Sequence, residues 1–70
     1  MFMKLFIKEI ERTKTYFNED RITYYLIDEN SMVLKSCVAS SPEWAKHLLV
    51  DEDTRYNNGS FEIEFMGRNM

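Results

Sequence analysis

The chain contains one proline, Pro42, and it divides the sequence into two kinds of pattern. Proline disfavours helical geometry in the residue before it and fits the first position of a helix. The stretch Ala39-Ser40-Ser41-Pro42-Glu43-Trp44 therefore marks a helix start. Ser41 is the expected N-cap, with Glu43 in the positive first turn. Ser40 and Glu43 would form a capping box one residue earlier. Trp44, Ala45, Leu48 and Leu49 then make one apolar stripe at helical spacing. Asp51-Glu52-Asp53 is unfavourable at a helix C-terminus, so the helix is expected to end near it.

The remaining periodic segments favour strands. After the turn signal Asn57-Asn58-Gly59, the segment Phe61-Glu62-Ile63-Glu64-Phe65 alternates, with Phe61, Ile63 and Phe65 inward and the glutamates toward water. Ile22 to Ile27 is apolar on both faces, which suits a central strand. Asp28-Glu29-Asn30-Ser31 reads as a turn with Asn30 suited to the left-handed conformation, and Met32 to Val38 as the strand that follows it. Met3 to Phe17 reads either way. Met3, Leu5 and Ile7 fit a strand, whereas Met3, Phe6, Ile7, Ile10 and Phe17 fit helical steps. The lack of an N-cap, the β-branched residues Ile7, Ile10, Thr13 and Thr15, and the turn-like Asn18-Glu19-Asp20 favour the strand. A parity shift near Lys8-Glu9 then implies a bulge or a twist. The expected architecture is α+β, in the order β-β-β-α-β. A small, mostly antiparallel sheet would hold a three-strand meander and the final strand, with the helix packed on one face. Residues 1–70 make a single domain, with Gly67 to Met70 expected to fray.

A domain of 70 residues buries too small a share of its surface to be more than marginally stable. The usual reinforcements are a disulfide, a metal or a partner. The single cysteine, Cys37, leaves no intrachain disulfide, and the single histidine, His47, excludes a Cys/His zinc site. A partner is what remains, either a second copy or another molecule. Hydrophobic content of 44% and charged content of 30% suit a globular domain. No apolar run reaches membrane-spanning length, and Met1-Phe2-Met3-Lys4 does not read as a signal peptide. With a lone cysteine, the expected setting is the reducing cytoplasm.

The sequence assigns no catalytic, cofactor or metal site. Cys37 and His47 are the only nucleophile and base, and no motif brings them together; both read as structural. A calcium loop starting at Asp51 would need an oxygen ligand where Arg55 stands and a glycine where Tyr56 stands. Glu62 and Glu64 share one strand face and do not span a cleft as glycosidase carboxylates do. Phosphate-cradling glycine motifs are missing. Phe2, Phe6, Tyr16, Phe17, Tyr24 and Tyr25 interleave with Lys4, Lys8, Arg12, Lys14 and Arg21, a mixture found on single-strand nucleic-acid platforms. Nearby acids and a net charge of −3 weigh against that partner.

The apolar runs near the N-terminus exceed what one helix can cover, which points to a protein partner or a homodimer seam. In size and element order the chain resembles the small accessory proteins that phages and mobile elements use to bind and inhibit host machines. The resemblance implies a non-enzymatic protein-binding module, a modulator or inhibitor of a larger machine. A homo-oligomeric accessory subunit is the alternative, and a single-stranded nucleic-acid binder the second. Two contact surfaces are expected. One is acidic, formed by Asp51, Glu52, Asp53, Glu62 and Glu64. The other is aromatic, formed by Tyr16, Phe17, Tyr24 and Tyr25, residue types that dominate binding hot spots.

Overall fold

The computed structural model describes residues 3–68. The ambiguous N-terminal segment is a strand, β1 (Met3–Lys14), followed by β2 (Asp20–Ile27) and β3 (Val33–Ala39). A short helix, α1 (Pro42–Lys46), continues into a π-helical turn over His47–Asp51, and β4 (Phe61–Arg68) closes the order. The strands form one sheet in the order β3-β2-β1-β4. β1–β2 and β2–β3 are antiparallel, so the meander is present. β4 pairs parallel to β1, so the sheet is mixed: two of its three pairings are antiparallel as expected and the third is not. The reason lies in the connection. A strand that returns after a helical crossover can run parallel, whereas a tight hairpin forces antiparallel pairing. Residues 40–60 make that crossover, carrying the chain from the β3 edge to the β4 edge.

β4 also runs through Gly67 and Arg68, into the stretch expected to fray; the rest of that stretch, residues 69–70, lies outside the described residues. In the β2–β3 turn the positive φ belongs to Ser31 (66°), one residue after Asn30. The Asp28 carboxylate accepts from the backbone N–H groups of Asn30 (2.8 Å) and Met32 (3.0 Å), which fixes the turn and places Ser31 at its corner.

Ser41 caps α1 as expected, its hydroxyl accepting from the Trp44 N–H at 3.2 Å. The expected stripe is buried at Ala45 and Leu49, loses Trp44 and gains Val50. Ala45, Leu49 and Val50 are buried, Leu48 is partly so, and Trp44 is 50% exposed. The π-helical turn accounts for Val50. Glu52 N–H donates to His47 O across five residues (3.2 Å), which widens the turn and rotates Val50 inward. Trp44 instead stacks on His47, with ring centroids 4.9 Å apart.

The core lies between this helical segment and one sheet face. Leu5, Ile7, Ile22, Leu26 and Leu49 are its largest fully buried side chains. Each contributes about 1.5–3 kcal/mol by leaving water. Phe61 and Ile63 pack against it from β4, as their alternation predicts. The opposite face of the sheet is covered by no described element, and among the described residues no helix is long and apolar enough to cross a membrane.

Lys35 of β3 fastens the helical segment to the sheet. Its Nζ donates to Leu48 O (3.4 Å) and Leu49 O (3.2 Å) and pairs with Asp53 Oδ2 (3.1 Å). These are C-terminal carbonyls that lack partners within the helix, and a cation is favoured there. Lys35→Met is therefore expected to lower stability by about 2 kcal/mol, the scale of hydrogen bonds to a charged group. Urea denaturation followed by circular dichroism measures it.

Candidate functional site

The molecule presents two distinct surfaces, one on each side of the sheet. Strand alternation assigns the uncovered face. Phe6 pairs with Ile27 and Lys8 with Tyr25 across β1–β2, and Tyr25 pairs with Ser36 and Thr23 with Val38 across β2–β3. Phe6 and Tyr25 are half-buried, Val38 is 46% exposed, and Leu34 beside them is 38% exposed. Ile27 is buried but stands outside the core cluster, as a residue on this second face must. Around these apolar groups Lys4, Lys8 and Arg21 are matched by Glu11, Glu62 and Glu64, and Lys4 pairs with Glu64 at 3.4 Å. The face is thus apolar at its centre and mixed in charge at its margin.

The predicted aromatic residues separate. Tyr25 lies on the uncovered face. Tyr16 and Phe17 lie in the β1–β2 turn, 97% and 79% exposed, edge to face at 5.5 Å. The turn beneath them is held by the Thr15 hydroxyl, which accepts from the Phe17 and Glu19 N–H groups at 3.2 Å each. Tyr24 points to the covered side and is 2% exposed, so it offers no ring to a partner on the other face. Adjacent residues of a strand face opposite ways, and Tyr24-Tyr25 cannot act as one patch.

The acidic residues separate too. Glu62 and Glu64 border the uncovered face, while Asp51, Glu52 and Asp53 sit at the end of the helical segment packed on the other side. Glu52 Oε1 lies 3.1 Å from His47 Nε2 and Asp51 Oδ2 3.9 Å from its Nδ1. Asp53 is committed within the chain. The Arg55 guanidinium meets it at 2.7–3.2 Å and Lys35 at 3.1 Å. Hydrogen bonds from Arg55 foremost, and from Lys35, hold the Asp53 carboxyl far below the usual carboxylate range. A depressed folded-state pKa stabilises the fold above the unfolded value and loses that contribution as protons bind. Stability is accordingly expected to fall as pH drops below the ordinary aspartate value of 3.8, and Asp53→Asn is expected to flatten that limb of a urea-midpoint against pH curve.

Cys37 and His47 are not brought together. Cys37 faces the core on β3, and burial pushes its thiol above the ordinary value, with Lys35 opposing. That is the reverse of nucleophile activation.

The covered side holds a cleft of about 430 Å³ that residue types alone did not reveal. The helical segment is too short to cover this whole face, and the cleft opens beside Pro42 and Glu43 at its start. Ile7, Tyr24 and Phe65 form its apolar lining, and Glu9 and Arg12 its polar side. A bulge brings the last two together. The β1–β2 register shifts between Glu9 and Glu11, so Ile10 is the extra residue. Without it, residues three apart on a strand would face opposite ways; with it, Arg12 reaches Glu9 at 2.8 Å. This is the parity shift expected near Lys8-Glu9, placed at Ile10. Arg12 also lies 3.6 Å from Asp20, which Lys14 meets at 2.9 Å. The Tyr24 hydroxyl, buried at this site, has no hydrogen-bond partner among the described residues, and burial raises its pKa. Among the described residues no cluster of His, Cys, Asp and Glu could hold a metal ion.

Compared with known proteins, the chain matches no family model, no curated protein and no solved structure.

Proposed function

We propose that this chain is a non-enzymatic protein-binding module that docks through the uncovered face of its sheet and modulates or inhibits a larger macromolecular machine. The observation that carries the reading is that face itself: Phe6, Tyr25, Leu34 and Val38 lie on a sheet surface that no described element covers. A small domain exposing a contiguous apolar centre with a polar rim has the anatomy of an interface. Tyr16 and Phe17, held out on an ordered turn, supply a second group of exposed rings at the end of the β1–β2 hairpin.

Self-association is the second reading, and one observation favours it. Lys4 and Lys8 on β1 run beside Glu62 and Glu64 on β4, so two copies packed about a two-fold axis can set each basic row against the other's acidic row. Nucleic acid is less well served, because the acids that rim the face repel phosphates.

Affinity capture with the immobilised chain, alongside light scattering of the free chain, tests the proposal. The heteromeric reading expects one protein retained in near-stoichiometric amount and a monomeric free chain. The self-association reading expects a dimer at micromolar concentration. A monomer that retains nothing from its native lysate contradicts both.

A further inference from the structure

We propose that the cleft on the helix side of the sheet receives a basic side chain, an arginine or lysine, presented by a protein partner. The site lies on the opposite side of the sheet from the uncovered face, so the inference does not rest on that surface being the interface. Three features of the cleft converge on a cation with an apolar stem. Its lining of Ile7, Tyr24, Pro42 and Phe65 is shaped by rings and aliphatic carbon, against which the methylenes of a long basic side chain pack and a guanidinium can stack. Its charge is unbalanced at the mouth. Glu9 and Arg12 pair at 2.8 Å and offset one another, while the exposed Glu43 carboxylate has no hydrogen bond or ion pair among the described residues. Lastly, Tyr24 is 2% exposed and its hydroxyl lacks a partner among the described residues; the oxygen is buried beneath the cleft, so it accepts from an incoming N–H only when the lining side chains part.

An anionic occupant fits less well. The cations on this side are already engaged, Arg12 by Glu9 and Asp20 and Lys14 by Asp20. An anion would have to compete with those carboxylates and approach Glu43 as well. A neutral apolar occupant would leave both Glu43 and the Tyr24 hydroxyl unanswered, and an unmet buried hydroxyl carries a desolvation penalty.

The test is a titration of isotope-labelled protein with blocked tripeptides, read by amide chemical shifts. The peptides are acetyl-Gly-Arg-Gly-amide, its citrulline counterpart, which keeps the shape but lacks the charge, and the glutamate counterpart. The arginine peptide is expected to produce saturable shifts at Ile7, Glu9, Tyr24, Glu43 and Phe65. Citrulline is expected to bind at least about tenfold more weakly, the scale of one lost charge-assisted contact, and the glutamate peptide not to bind. Glu43→Gln, at an exposed position outside the core, is expected to weaken the arginine peptide by roughly fivefold to tenfold. Tyr24→Phe, compared only if its spectrum remains dispersed, is expected to weaken it further. Equal affinity for arginine and citrulline, indifference to Glu43→Gln, or the absence of saturable shifts at the cleft overturns the proposal.

Discussion

Leu26→Ala is expected to leave the chain close to unfolded at ambient temperature. Leu26 has no exposed surface and lies on β2, hydrogen-bonded on both sides by β1 and β3. Truncating a fully buried leucine costs about 2–5 kcal/mol, because transfer energy is lost and a cavity remains. A domain of 70 residues has a total stability of roughly 4–10 kcal/mol. The substitution therefore removes a large share of it, and Tm is expected to fall by roughly 10–40 °C. Leu34→Ala supplies the contrast. Leu34 is 38% exposed on the uncovered face, and its truncation is expected to cost less than about 1 kcal/mol. Thermal melts of the two variants beside the parent measure the difference between the two faces of one sheet. Equal losses would mean that both faces are packed alike.

The double substitution Phe6→Ser with Tyr25→Ser is expected to have the opposite profile: a folded chain that no longer binds. Both rings are half-buried on the face that the helical segment does not touch, so they contribute modestly to the core. Aromatic residues at the centre of an interface each cost about 2 kcal/mol or more when truncated, though such costs do not add simply. Affinity for the captured protein, or for a second copy, is expected to fall by at least about 100-fold. Isothermal titration or sedimentation equilibrium reads this, and circular dichroism checks the fold. Unchanged affinity in a folded double variant would move the interface elsewhere.

The parts of the fold legible in the sequence were those governed by local chemistry. Ser41-Pro42 announces the helix start because capping and the restriction before proline act within a few residues. Phe61, Ile63 and Phe65 announce β4 because strand alternation has a period of two. The parallel pairing of β4 was legible in principle: a strand reached through a helical crossover from β3 runs parallel to β3, and hence to β1, which both antiparallel steps relate to β3. Ala45 and Leu49 were legible from helical spacing, but the burial of Val50 was not, since a π-helical turn has no residue signature. The candidate sites were less legible still. Tyr24 and Tyr25 are neighbours in sequence and opposite in space. Asp53 reads as a free acid until Lys35 and Arg55 are placed beside it. The cleft needs Glu9 and Arg12 on one face, and only the extra residue at Ile10 puts them there. Each of these depends on register or on long-range contact, which composition does not carry.

The most direct measurement is methyl cross-saturation by NMR on the labelled chain bound to the captured protein, or on the concentrated chain if it dimerises. Attenuation at Ile27, Leu34 and Val38, with Leu5 and Leu49 unaffected, is the result expected of a module that docks through its uncovered sheet face. Attenuation confined to the helix side, with Ile27, Leu34 and Val38 untouched, contradicts it.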